Sequence, residues 1–289
     1  MPYFYLISAL IVSAAGTIST SFYNRKNIGR KGTVPMYNLV IIITVFLFWL
    51  VLFLTDLSYD LAVLPYSLLF SLCYVLATIS TIMALSTGSI MLTSLISQLS
   101  LIGASVWGFF FWDEQFTILT AIGLVFTVIS LWLCLYTGRG KDRVKFNPAW
   151  IGYVILLFVS NAGCTITQRT QQLDFGAKYG NFMMLVAIGV AAIAFVIMYL
   201  LSDKRDSKVI LRASWHFPVL AGIFNGLVNL FVILMATTDL STSLIYPVIA
   251  VGSLSIITLA SLFIFKEKMH WWQWCGVALG AIATAILSI

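Results

Sequence analysis

The chain has 289 residues, of which 61% are hydrophobic and only 9% are charged, and its mean hydropathy is +1.03. A soluble domain carries about a quarter charged residues, so this composition excludes a water-soluble protein and indicates one built for a bilayer. The net charge of +6 could suggest a nucleic-acid partner. The basic residues instead lie in short clusters between apolar stretches, which argues against that partner.

Ten stretches are apolar and close to the length of about 20 residues at which an α-helix crosses the hydrocarbon. They are 3–22, 36–55, 64–84, 90–112, 117–136, 150–171, 180–201, 217–236, 242–265 and 272–288. Four of the links between them hold only a few residues, so little of the chain remains for a soluble domain. The sequence therefore predicts an all-α integral membrane protein with ten transmembrane helices.

The basic residues predict the orientation of these helices. Fourteen of the sixteen follow an odd-numbered stretch, and only Arg169 and Lys178 lie on the other side. The positive-inside rule then places the odd-numbered links in the cytoplasm and both termini outside, in the cell (inner or plasma) membrane. No Lys or Arg precedes the first stretch, so we expect it to remain as a helix and not to be removed as a signal peptide.

The sequence holds no arrangement of residues that indicates a cofactor, a metal or a catalytic group. The four cysteines (Cys73, Cys134, Cys164, Cys275) all fall inside predicted helices, where thiols pack as small apolar groups. We therefore expect no disulfide, no metal site and no enzyme activity.

Two carboxylates occupy the same context, between one long apolar stretch and the next. Glu114 and Glu267 are 153 residues apart, and the same shift carries Gly123 onto Gly276. A repeat of about half the chain, built from hydrophobic helices, is typical of secondary transporters.

This shift divides the chain into two five-helix repeats, 1–145 and 146–289. Because each repeat holds an odd number of helices, the second must lie inverted relative to the first. Two inverted halves can exchange conformations and so open a central site to either side of the membrane, which is alternating access.

The closest family resemblance lies in the second half, in Tyr246-Pro247, Glu267-Lys268 and the Gly-rich segment from Cys275 to Gly280. These residues resemble the drug/metabolite transporter superfamily, in particular its EamA-type ten-helix members. The resemblance implies a membrane transporter. Members of this family are often described with cytoplasmic termini, whereas the charge distribution here favours termini outside.

Polar side chains at bilayer depth are costly unless they have a partner or line water. Asn225 and Asn229 are four residues apart and share one helix face. They could bind a solute, or they could join helices through hydrogen bonds of about 0.6 kcal/mol each. The repeat places Leu72 and Leu76 at the equivalent positions of the first half, so the fold itself does not require amides there.

Further candidates follow from the same reasoning. The substrate-binding candidates besides the asparagine pair are Gln98, Asn161, Tyr74, Tyr246 and Trp107, although aromatic residues in helices more often serve packing. Arg169 could bind one carboxylate of a substrate if its side chain turned inward beside Gln168. An arginine near the end of a membrane helix more commonly extends its side chain to the membrane interface. Glu114 and Glu267 are expected to brace turns at the two membrane surfaces, with a gating role as the alternative.

The absence of ionisable side chains from the centres of the predicted helices limits the class of substrate. No Asp, Glu, Lys or His lies in the central part of any predicted helix. Burying a phosphate group between these helices without a cation beside it would be prohibitively costly. Transport by proton exchange at a buried carboxylate is also disfavoured, because no such carboxylate is present. The sequence thus favours a transporter of a small neutral or zwitterionic metabolite, such as an amino acid, acting as an exporter or facilitator.

Two alternatives remain open, an integral-membrane enzyme acting on lipid and a non-transporting scaffold or sensor. The expected partners are the small-molecule substrate and membrane lipids. Small residues repeat every four positions at Gly276, Gly280 and Thr284 and allow close helix packing. We assign that packing to the fold itself, so a monomer is favoured over a dimer.

Overall fold

A computed structural model describes residues 2–87, 90–112, 116–135, 148–238, 240–264 and 270–287. The described residues are overwhelmingly α-helical and contain no β-strand, which confirms the all-α prediction. The helices are α1 Pro2–Lys26, α2 Thr33–Thr55, α3 Leu64–Thr87, α4 Ile90–Phe111, α5 Ile118–Leu135, α6 Pro148–Asp174, α7 Gly180–Leu201, α8 Ser207–Ser214, α9 His216–Met235, α10 Thr242–Phe263 and α11 Trp271–Leu287. A 3-10 turn, Leu61–Val63, leads into α3.

Each of the ten predicted stretches overlaps one of these helices of the described residues, and α8 is the helix that the sequence analysis missed. Within the described part of the chain, seven helices (α1, α2, α3, α6, α7, α9 and α10) are long and apolar enough to cross a membrane. The other apolar helices are shorter over their described side chains, at Ile96–Phe111, Ile118–Cys134 and Trp271–Leu287. The number of membrane crossings therefore stays a prediction.

Large apolar side chains are exposed along the long helices. Leu54, Phe110 and Ile193, for example, are each more than three-fifths exposed. A soluble protein rarely exposes apolar surface on this scale, whereas a bilayer solvates it. The four cysteines are free thiols.

The chain forms two compact units. The first contains Tyr3–Val75 and Thr167–Thr238, and the second contains Leu76–Ile166 and Asp239–Ile289. Each unit therefore takes helices from both halves of the sequence. The predicted boundary between two repeats at residues 145 and 146 is a different subdivision and stays a prediction.

In the first unit, α2 and α9 pack closely because α9 presents glycine to α2. A Cβ added to Gly222 would lie 2.8 Å from the Cβ of Thr44, and one added to Gly226 would lie 2.5 Å from the ring of Phe48. The glycines beside the asparagine pair therefore serve this helix contact. In the same unit, Tyr23 of α1, Met36 of α2 and Ile210 of α8 form a buried apolar cluster.

In the second unit, α5 and α11 pack through the small residues of α11. Added Cβ atoms on Gly276 and Gly280 would clash with Cys134 and with Val251, respectively. The hydroxyl of Ser130 donates a hydrogen bond to the carbonyl of Gly276 at 2.7 Å. These glycines are thus used inside the unit, in agreement with their assignment to packing within the fold.

Candidate functional site

The first unit contains a polar cavity of about 230 Å³ between α1, α2 and α9, here called the α1–α2–α9 cavity. Its polar lining residues are Ser13, Thr17, Thr20, Tyr37 and Asn225. The remainder of the wall is apolar or glycine, and none of the lining residues among those described carries a charge at neutral pH. The cavity is therefore polar but electrically neutral.

Helix α1 contributes a polar face because Ser13, Gly16, Thr17 and Thr20 recur at intervals of three and four residues. Gly16 faces α9, and a Cβ added to it would make an ordinary contact of 3.4 Å with the Cβ of Phe224. The hydroxyls of Thr17 and Thr20 donate to the carbonyls of Ser13 at 3.2 Å and Gly16 at 2.9 Å. Each hydroxyl therefore donates its one hydrogen within α1, and its oxygen can still accept a hydrogen bond.

The Tyr37 hydroxyl joins α2 to this face. Its oxygen lies 2.6 Å from Oγ1 of Thr20. Because the Thr20 proton is directed to the Gly16 carbonyl, the geometry makes Tyr37 the donor in this pair. The oxygens on this wall are thus left mainly as acceptors, which suits a ligand that brings hydrogen-bond donors such as an ammonium or hydroxyl group.

The two asparagines of α9 take different positions. Asn225 lines the cavity. Asn229 lies one turn further along α9 and donates from Nδ2 to the carbonyl of Asn225 at 2.9 Å. The structure therefore brings the pair together, with one amide on the cavity and its neighbour bonded to the same helix.

Two other predicted residues also lie in the first unit, away from the residues that line this cavity. Tyr74 packs its ring edge-on to Phe195, with centroids 6.1 Å apart. Arg169 is half-buried, and its Nε has no hydrogen-bond partner among the described residues. The neighbouring Gln168 is 4% exposed, and its Nε2 likewise has no partner within the described part of the chain.

The remaining described candidates lie in the second unit. Asn161 of α6 donates to the Ser97 hydroxyl of α4 at 3.2 Å, and the half-buried Gln98 follows Ser97. Tyr246 is buried in α10. Trp107 stacks on Phe111 with ring centroids 4.0 Å apart, an arrangement that fits its packing interpretation. The predicted set thus falls into two groups, one in each unit.

Glu114 and Glu267 lie outside the described residues, so their bracing or gating role stays a prediction. The sequence analysis missed Ser13, Thr17, Thr20 and Tyr37. The three α1 hydroxyls recur on one side of the helix, but their spacing was not a clear signal, because α1 also carries Ser8, Ser19 and Ser21.

Comparison with known proteins defines the class. Residues 148–289 match the EamA-like transporter family. This match covers just under half of the chain, and the family is part of the drug/metabolite transporter superfamily, so the resemblance is confirmed. The family consists of membrane transporters and not typically of enzymes.

No curated protein matches the sequence. One solved crystal structure, whose description gives no name for its protein, is similar to this chain. The similarity covers 99% of this chain and 95% of the other chain, with a TM-score of 0.75 and 12% sequence identity. At this identity the similarity concerns the fold alone.

Proposed function

We propose that this protein is a secondary transporter of a small neutral or zwitterionic metabolite, an amino acid or a similar solute, and that it works by alternating access. It acts as an exporter or facilitator in the inner or plasma membrane. The family supplies the general class, a membrane transporter. The α1–α2–α9 cavity supports the choice of solute.

The observation that carries the proposal is the neutral polar wall of this cavity. An anionic solute would lose its hydration without gaining a cation, and a lipophilic cation would find no carboxylate. A small molecule with its own donors can bond to the Thr17 and Tyr37 oxygens and to the Asn225 amide. The volume of about 230 Å³ also lies below the 300–1,000 Å³ of drug-sized sites.

The predicted inverted repeats supply the mechanism. Alternating access needs two related conformations that expose one site to opposite sides, and inverted halves provide them. The protein functions as a monomer in this proposal, because the small-residue faces on α9 and α11 are occupied within their own units.

Thermal unfolding of the purified protein in detergent tests the class of solute. The panel contains amino acids, amines, organic acids, nucleosides and lipids. A ligand at 100 times its Kd adds about 2.7 kcal/mol to the free energy of unfolding. We expect stabilisation by neutral or zwitterionic solutes; stabilisation by lipids alone would contradict the proposal.

A further inference from the structure

A second cavity of about 400 Å³ lies in the same unit, where α2, α7 and α9 end or begin. We call it the Asp56–Lys178 cavity after the two charged residues that line it. Leu230, Ile233 and Leu234 of α9 supply its apolar wall. A carboxylate, an ammonium group and an apolar surface therefore line one cavity.

The anionic side is formed at the end of α2. Asp56 is exposed, and its carboxylate accepts a hydrogen bond from the hydroxyl of Ser58 at 2.9 Å. Both residues line the cavity. A carboxylate with one oxygen held in this way can accept further hydrogen bonds from a ligand ammonium group.

The cationic side is formed by the segment that joins α6 to α7. Lys178 is exposed, and its backbone carbonyl accepts a 2.8 Å hydrogen bond from Nε2 of the fully buried Gln171. The segment is also bonded from the Ala177 N–H to the Gln172 carbonyl. The backbone at Lys178 is thus held by one buried side chain, that of Gln171, and the neighbouring Ala177 by one backbone hydrogen bond.

A buried amide lies against the wall of this cavity. Gln172 is 3% exposed, and its Oε1 has no hydrogen-bond partner among the described residues. A Cβ added to the lining residue Gly180 would lie 3.1 Å from Nε2 of Gln172 and 3.2 Å from the lining residue Ile233. An unsatisfied acceptor beside the wall is costly unless a donor reaches it.

Helix α9 connects the two cavities of the unit. Asn225 lines the α1–α2–α9 cavity, Ile233 lines the Asp56–Lys178 cavity, and Asn229 lies midway between them. The three residues follow one another at intervals of four, so they rise along neighbouring positions of α9 over about 12 Å.

We propose that the Asp56–Lys178 cavity is a surface binding site for an α-amino acid with an apolar side chain. Asp56 binds the ammonium group, Lys178 binds the carboxylate, and the α9 leucines and isoleucine contact the side chain. The choice of ligand rests on the proposed function. The predicted topology places this end of the unit outside, because the links that line it carry few basic residues.

Binding of three related probes to the full-length protein in detergent tests the site. L-leucine carries both charges, L-leucinol keeps the ammonium group alone, and 4-methylpentanoate keeps the carboxylate alone. We expect Lys178→Gln to weaken binding of L-leucine and 4-methylpentanoate about tenfold or more but to leave L-leucinol unchanged. We expect Asp56→Asn to weaken L-leucine and L-leucinol and to spare 4-methylpentanoate.

Lys208→Gln is the matched control, since Lys208 is an exposed lysine of α8 that does not line the cavity. Unchanged affinities in both variants, an equal loss for all three probes, or no binding of L-leucine to the wild type would overturn the proposal. Asn225→Leu separates the two claims. If it abolishes leucine transport while the Asp56 and Lys178 variants bind normally, the surface site is wrong and the proposed function stands.

Discussion

At the scale of single residues, the hydrogen bond between Thr20 and Tyr37 ties α1 to α2 at the wall of the α1–α2–α9 cavity. A side-chain hydrogen bond of this kind contributes about 0.5–1.5 kcal/mol. We expect Tyr37→Phe and Thr20→Val each to lower the free energy of unfolding. Because both remove the same bond, the double variant should lose less than the two single losses combined, as measured by denaturation in detergent. Strict additivity would show that the two hydroxyls are not coupled.

Asn225 and Asn229 provide a matched pair, since both are amides on one helix and only Asn225 lines the cavity. We expect Asn225→Leu to weaken solute binding about tenfold or more, because a ligand group loses its partner. Asn229→Leu, which removes a bond to a backbone carbonyl, should have the smaller effect on affinity. If the wild type and the Asn225→Leu protein bind the solute with equal affinity in a titration, Asn225 serves helix packing and not solute binding.

The site was partly predictable at this scale. Amides are rare at bilayer depth, so Asn225 was identified from its residue type and position. Thr17 and Thr20 were not, because a hydroxyl can satisfy itself on the preceding turn of its own helix and is then no signal of a site. Tyr37 is recognisable as a site residue only from the structure, which places its hydroxyl beside Thr20 of α1.

At the scale of helices, the contact between α2 and α9 depends on glycine. A Cβ on Gly222 would press on the Cβ of Thr44 and on the Ile41 carbonyl at 3.1 Å, atoms that cannot move without α2 itself. We expect Gly222→Ala to destabilise the protein by about 1–3 kcal/mol through overpacking, seen as a lower midpoint of thermal unfolding.

Gly152→Ala is the control for this experiment. Gly152 lies in α6 with no atom within 4 Å of an added Cβ, and alanine favours a helix over glycine. This variant should be neutral or slightly more stable. A Gly222→Ala protein as stable as Gly152→Ala would mean that α2 and α9 are not in close contact.

The seven helices of the described residues that are long and apolar enough to cross a membrane were predictable, because length and hydropathy suffice to identify them. Helix α8 was not, since its eight residues are too few for a crossing and its pattern is amphipathic. It exposes Lys208, Val209 and Arg212, whereas Ile210 is buried. Its only run of consecutive apolar residues is 209–211, far too short to indicate a membrane helix.

At the scale of the whole molecule, the division into two compact units could not be predicted. The sequence repeat separates residues 1–145 from 146–289, whereas the contacts group Tyr3–Val75 with Thr167–Thr238. A sequence repeat reflects the order of helices along the chain, but packing decides which helices are neighbours. The predicted substrate-binding set therefore has members in both units, such as Asn225 in the first and Asn161 in the second.

The charge distribution predicts the orientation of the whole chain, and cysteine labelling can measure it. In a protein with its four native cysteines replaced, Ser58→Cys lies in an even-numbered link and Lys204→Cys in an odd-numbered one. A membrane-impermeant thiol reagent applied to intact cells should label Ser58→Cys and leave Lys204→Cys unlabelled. The reverse pattern would place both termini in the cytoplasm.

The central claim is that this chain moves a small neutral or zwitterionic solute, and counterflow in proteoliposomes measures it most directly. Vesicles containing the purified protein are loaded with unlabelled amino acid, and entry of the radiolabelled amino acid is followed over time. Alternating access predicts a transient accumulation of label in wild-type vesicles and its loss in the Asn225→Leu protein. If vesicles with wild-type protein match protein-free vesicles for every neutral and zwitterionic solute tried, the claim is contradicted.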